Sequence, residues 1–88
     1  MVEDISYVEA VGSYCNIRTN TEFSTLAFNL KKFTDKVTSP FFVRVHRSFV
    51  VNIGKVDSIN GNTIYIGEYE IPLSTKYREK LLKKLSLL

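Results

Sequence analysis

The most apolar stretch of the chain, residues 41–53, is interrupted by polar side chains at positions where a buried strand would carry Val or Ile. Its apolar members must contribute heavily to the core. They are Phe41, Phe42, Val43, Val45, Phe49, Val50, Val51 and Ile53. The polar members lie between them and are Arg44, His46, Arg47, Ser48 and Asn52. The pattern predicts a core segment whose middle contains a specific polar feature instead of a continuous buried strand.

Segments with alternating or β-branched residues predict strands on either side of this stretch. Before it, Gly12 and the turn signal Asn20-Thr21 separate three such segments, which are residues 4–10, 14–19 and 22–28. After it, Asn60-Gly61 lies between the segments 55–59 and 63–66, and this dipeptide is a strong hairpin signal because both residues tolerate positive φ. A further strand follows at 69–73, where Pro72 indicates a strand end or an edge.

Two helices are predicted from a change of period. Leu26, Leu30, Phe33 and Val37 fall on one helical face, which Asn29 can cap and Ser39-Pro40 can end. Ser74 can cap a final helix with an apolar stripe of Tyr77, Leu81, Leu82, Leu85 and Leu88 and an opposite side of Lys76, Lys80, Lys83 and Lys84. The predicted fold is mainly antiparallel β, with one short internal helix and a C-terminal helix.

Length and composition limit the function classes that need to be considered. The 88 residues suffice for one domain with one core, and there is no apolar stretch long enough to span a membrane. One cysteine and one histidine form neither an internal disulfide nor an ordinary four-ligand zinc site, so we expect no metal and no other cofactor. A cytoplasmic location is expected, since nothing at the N-terminus resembles a secretory signal.

The basic residues are concentrated in the second half of the chain. The net charge is only +3, but residues 44–84 carry eight basic side chains against four acidic ones. Such an asymmetry suggests an anionic partner on one face, although a plain solvated surface has the same composition.

An enzyme is not expected. His46 is the one imidazole that could act as a base, and a Cys15–His46 pair would have to form between different predicted strands with no motif around the thiol. No glycine-rich phosphate loop is present either.

The remaining candidates are polar donors in or next to predicted loops: Tyr14, Asn16, Arg47, Ser48 and Lys76. Loops on a β scaffold often carry recognition, and Arg suits bidentate hydrogen bonds to guanine. A surface salt bridge is the alternative for Arg47. For His46, hydrogen bonding to the backbone to shape the loop is favoured over contact with a base.

The order of several motifs resembles the LytTR family of bacterial DNA-binding domains over nearly the whole chain. The motifs are Tyr7-Val8-Glu9-Ala10, then Phe42-Val43-Arg44-Val45-His46-Arg47-Ser48-Phe49-Val50-Val51-Asn52, then Ile71-Pro72-Leu73-Ser74. The resemblance implies an elongated, mostly antiparallel β fold that reads duplex DNA through loops, as the output domain of a transcription regulator, typically a two-component response regulator.

Residue roles follow from the resemblance position by position. It implies base contacts from Arg47, Lys76, Asn16 and Tyr14, with Cys15 a poor base reader and Ser13 an alternative to Asn16. Ser13, Ser48, Ser74 and Lys80 match positions suited to phosphate contacts, and His46 and Asn52 are expected to shape loops. The leading alternative function is a β-rich interaction module that binds an acidic peptide.

The resemblance also bears on partners and on the ends of the domain. It implies an upstream receiver domain in the full-length protein and allows a homodimer on a repeated DNA site. Family members usually open with an additional hairpin, so residues 1–88 are expected to form one domain that lacks the family's first strands. The strand at Ile5–Ala10 is therefore expected to be an unpaired edge that promotes self-association.

Overall fold

The computed structural model describes residues 4–27, 29–37 and 40–86, which form two antiparallel sheets and two α-helices. The strands are β1 Ile5–Val11, β2 Tyr14–Thr19, β3 Phe23–Leu26, β4 Phe42–His46, β5 Phe49–Asn52, β6 Ser58–Asn60, β7 Thr63–Ile66 and β8 Tyr69–Pro72. The helices are α1 Leu30–Lys36 and α2 Thr75–Ser86, and a short 3₁₀ helix spans Ile53–Lys55. The mainly β fold with one internal and one C-terminal helix is confirmed, and its principal extents are 32 × 25 × 21 Å.

The main sheet has five strands in the order β3-β2-β1-β5-β4, and the second has three in the order β6-β7-β8. Adjacent residues of a strand point to opposite faces, so Val50 and Val51 of β5 enter different cores. One face of the main sheet packs on α1 through Ile5, Val8, Cys15, Leu30, Phe33 and Val50. The other packs on the second sheet and α2 through Val43, Val45, Val51, Ile53, Ile64, Ile66, Ile71, Leu73 and Leu81.

Local capping and turn signals produce the elements predicted from them. The Asn29 side chain accepts a hydrogen bond from the backbone N–H of Lys32 at 2.8 Å, which starts α1 at Leu30. Gly61 has φ of 62° in the turn between β6 and β7, as the Asn-Gly signal requires. The expected contributions of Phe28, Ser39 and Leu88 lie outside the described residues.

The polar interruption in residues 41–53 is a hairpin turn. Strand β4 ends at His46, Arg47 and Ser48 form the turn, and β5 begins at Phe49. A register shift places one extra residue, Val45, in β4 between the pairs Arg44–Val50 and His46–Phe49. This β-bulge redirects the end of the hairpin.

Three expectations about individual elements are wrong. Strand β1 is not an unpaired edge, because it pairs with β2 on one side and with β5 on the other, so the argument for self-association along it fails. Leu82 is not part of the apolar stripe of α2, since it is 43% exposed while Leu81 is fully buried. The strand expected from Lys55 begins only at Ser58, because Lys55 belongs to the 3₁₀ helix.

Neither helix in the described ranges is long and apolar enough to cross a membrane.

Candidate nucleic-acid interface

Two backbone hydrogen bonds bring three polar segments to one end of the main sheet. The N–H of Ala10, near the end of β1, donates to the carbonyl oxygen of Ser48 in the β4–β5 turn at 2.7 Å. The N–H of Ser74, just before α2, donates to the carbonyl oxygen of Val45 at 2.8 Å. The β1–β2 turn, the β4–β5 turn and the start of α2 therefore lie side by side, and we call them together the loop end.

Arg47 is exposed at the tip of the β4–β5 turn. Within the described part of the chain, its guanidinium forms no hydrogen bond or ion pair, and only its backbone carbonyl is engaged. The surface salt bridge considered for Arg47 is therefore not formed with any of those residues. The side chain is available to a partner.

His46 and Arg44 hold the backbone of this turn. The Nδ1 atom of His46 accepts a hydrogen bond from the N–H of Ser48 at 3.1 Å, and its ring packs edge-on against Phe49 with centroids 5.7 Å apart. Because Nδ1 acts as an acceptor, a neutral His46 carries its proton on Nε2. Arg44 donates from Nε to the carbonyl of His46 at 3.3 Å and from Nη2 to the carbonyl of Arg47.

The β1–β2 turn presents Ser13 and Tyr14 at the loop end. Gly12 adopts φ of 60°, which a glycine tolerates without strain, and Ser13 completes the turn. Tyr14 is 53% exposed. Asn16 is partly buried in β2, and its Oδ1 accepts a hydrogen bond from the Thr25 hydroxyl at 2.9 Å.

Cys15 points away from the loop end surface and into the α1 core. It is fully buried, and burial raises the pKa of its thiol. The His46 ring contacts Phe49, whose side chain packs on the opposite face of the sheet from Cys15. A thiol–imidazole pair is therefore not formed.

The start of α2 supplies the third segment. Ser74 is partly buried, and its carbonyl accepts from the N–H of Tyr77 at 2.9 Å. Lys76 is exposed, with its Nζ 5.5 Å from the centre of the Tyr77 ring. Lys80 is exposed one helical turn further along. The lysines thus continue from the loop end along the side of the domain.

Asn52 lies at the opposite end of the main sheet from Arg47. Its Nδ2 donates to the carbonyl of Ile5 at 3.0 Å, and its Oδ1 accepts from the N–H of Gly54 at 2.9 Å. Asn52 therefore shapes the entry into the 3₁₀ helix and the start of β1, away from the loop end.

Two arginines to which sequence reasoning assigned no role donate hydrogen bonds to backbone carbonyls of turns. Arg44 contacts the β4–β5 turn as described above. Arg78 of α2 donates from Nη1 to the carbonyl of Gly61 and to Oδ1 of Asn62, the latter at 3.4 Å, which joins the helix to the β6–β7 turn. The place of Arg44 inside the polar interruption was the only signal of its role, and Arg78 gave none because its partners are distant in sequence.

No group of three His, Cys, Asp or Glu side chains within residues 4–27, 29–37 and 40–86 is arranged to hold a metal ion.

The family model described as the LytTr DNA-binding domain matches residues 1–86 of this chain. The chain belongs to the LytTr family. A solved LytTr DNA-binding domain from Bacillus cereus superposes with a TM-score of 0.82 at 24% identity, covering 93% of this chain and 81% of that one, which shows the fold.

Two curated relatives support this family assignment. The transcriptional regulatory protein YpdB of Escherichia coli K12 is 32% identical over 80 residues, covering 83% of this chain and 33% of that protein. The sensory transduction protein LytT of Bacillus subtilis is 31% identical over 91 residues, covering 97% of this chain and 38% of that protein. The chain thus spans about a third of the length of these relatives.

Proposed function

We propose that this LytTr domain binds a specific sequence of duplex DNA through its loop end, as the output domain of a bacterial transcription regulator. The observation that carries the proposal is the pair of hydrogen bonds that gathers the three polar segments at one end of the sheet, at the carbonyls of Ser48 and Val45. These bonds bring together the start of β2, the β4–β5 turn and the first turn of α2, which carry exposed Tyr14, Arg47 and Lys76.

The β4–β5 hairpin is the element best suited to enter a major groove, which admits a two-stranded β-ribbon. Arg47 stands at its tip with an unengaged guanidinium that can bind guanine O6 and N7 in a bidentate manner. Lys76, Tyr14 and Asn16 then contact bases or sugars on either side.

Phosphate contacts come from the residues around these base readers. Ser13, Ser48 and Ser74 offer hydroxyl groups beside the three segments, and Lys80 adds a positive charge on the next turn of α2. Such contacts fix the register of a protein on DNA but do not read its sequence.

In the full-length protein we propose an upstream receiver domain and a cytoplasmic location, where the chromosomal DNA lies. The names of the relatives, a sensory transduction protein and a transcriptional regulatory protein, support a signal-dependent regulator. We also propose that two copies bind a repeated site. A mobility-shift assay with one-site and two-site duplexes tests this, and a single complex of one chain on the two-site duplex would contradict it.

The function is tested by selecting bound sequences from a random duplex library and measuring anisotropy with the selected duplex and a scrambled duplex. We expect tighter binding to the selected duplex than to the scrambled one. We also expect the salt slope, which is the slope of log binding constant against log salt concentration, to be about −0.9 for each phosphate contact. An acidic peptide that competes with both duplexes equally, with no sequence preference, would favour the interaction-module alternative.

A further inference from the structure

The side chain of Arg44 contacts the same turn that presents Arg47. Its Nε donates to the carbonyl of His46 at 3.3 Å, and its Nη2 donates to the carbonyl of Arg47. Arg44 lies on β4 opposite Val50, one residue before the bulge at Val45. One guanidinium therefore joins two consecutive peptide groups at the tip of the hairpin.

The backbone of this turn is not of the usual hairpin type, and side-chain hydrogen bonds hold it. Two-residue hairpin turns favour types I′ and II′, which need positive φ in the turn. In the described ranges only Gly12, Gly61 and Gly67 have positive φ, so Arg47 and Ser48 use neither type. The Nδ1 atom of His46 holds the N–H of Ser48, and Arg44 holds the carbonyls.

We propose that Arg44 is a positioning residue for sequence-specific DNA binding. It holds the backbone of the β4–β5 turn and thereby sets the direction in which the Arg47 guanidinium points from the turn. The inference rests on the proposed function of the loop end. Lysine cannot replace Arg44, because a single ammonium lacks the planar fork that reaches two carbonyls at once.

A positioning role differs in two measurable ways from a direct phosphate contact by Arg44. An effect that acts through Arg47 disappears when Arg47 is removed, whereas an independent contact adds to the effect of that removal. Loss of a phosphate contact also lowers the salt slope by about 0.9, whereas loss of positioning leaves the slope unchanged.

The experiment compares Arg44→Lys and Arg44→Gln, each in the parent and in the Arg47→Ala background. Affinity for the selected and the scrambled duplex is measured at several salt concentrations, and thermal unfolding checks that each variant is folded. We expect both substitutions to lower the selected-to-scrambled affinity ratio about tenfold in the parent, as for a displaced bidentate contact. We expect no further fall in the Arg47→Ala background and unchanged salt slopes.

Several results would overturn the positioning role. They are a ratio preserved in Arg44→Lys, losses that add to that of Arg47→Ala, or a salt slope reduced by about 0.9. Arg44→Lys keeps the charge and most of the stem, so it decides the question if Arg44→Gln does not fold. If the parent itself binds the selected and scrambled duplexes equally, the proposed function fails, which is a different outcome from failure of the Arg44 proposal.

Discussion

The N–H of Ser74 donates to the carbonyl oxygen of Val45 at 2.8 Å, which joins the residue before α2 to the bulge beside the β4–β5 turn. Because α2 begins at Thr75, this bond sets the position of Lys76 relative to Arg47. Two segments almost thirty residues apart in sequence thus form one surface.

Arg47→Ala should weaken binding to the selected duplex by about 1–3 kcal/mol, because it removes the proposed bidentate base contact. The free energy of unfolding should stay within about 0.5 kcal/mol of the parent value, since the side chain is exposed and its guanidinium forms no hydrogen bond or ion pair with another described residue. Lys31→Ala is the matched control, as Lys31 is also an exposed basic residue but lies on α1. Equal effects of the two substitutions in a binding titration would contradict the role of Arg47.

Lys76→Ala should change which base is preferred, whereas Lys80→Ala, Lys83→Ala and Lys84→Ala should weaken binding to all sequences alike. Lys76 lies in the first turn of α2 at the loop end, and the other lysines lie further along the helix. Each lost phosphate contact should reduce the log–log salt slope by about 0.9. Repeating the sequence selection with each variant checks this. An unchanged consensus for Lys76→Ala would argue that Lys76 contacts only the backbone.

Leu81→Ala should destabilise the fold by about 2–5 kcal/mol, because it opens a cavity in the core shared by both sheets and α2. Leu82→Ala should change the free energy of unfolding by less than about 0.5 kcal/mol, since Leu82 is 43% exposed. Urea unfolding of the two variants makes the comparison within one helix turn. Similar losses in both would mean that α2 packs in a different register.

Cys15 should be unreactive in the native protein and should make stability depend on alkaline pH. Burial raises the pKa of the thiol, so the unfolded chain releases the Cys15 proton at a lower pH than the folded one. The contribution is complete below the ordinary thiol pKa of about 8.5 and is lost as pH rises above it.

Urea midpoints of the parent and of Cys15→Ala, compared between neutral and alkaline pH, isolate the contribution of the Cys15 thiol. The parent should lose more stability than the variant over that interval. Rapid reaction of the native thiol with a disulfide reagent near neutral pH would show that Cys15 is not buried.

Sequence reasoning succeeded where the signal was local. The cap at Asn29, the turn at Gly61 and the strand end at Pro72 each depend on neighbours a few residues away, and the structure confirms all three. The pairing of β1 with β5 joins residues about forty positions apart, and periodicity shows only that a strand exists, not its neighbours. The expectation that β1 is an edge rests on the additional opening hairpin of family members, and it is wrong because β5 pairs with the side of β1 that β2 leaves open.

The candidate site was predictable to the same extent. The polar residues within the apolar stretch 41–53 indicated where that stretch is interrupted. The structure shows the β4–β5 turn at this place, with Arg47 exposed. The contacts of Arg44 and Arg78 with backbone carbonyls depend on how the chain folds back on itself. Residue types alone did not distinguish these arginines from solvated ones.

The most direct test of the loop end as the DNA-binding surface is an NMR titration of backbone amides with the selected duplex. We predict the largest shifts in residues 12–16, 46–48 and 74–76, with small shifts at Asn52, Gly54 and Gly67, which lie at the opposite end. Shifts concentrated at that opposite end, or the same pattern and affinity with a scrambled duplex, would contradict it.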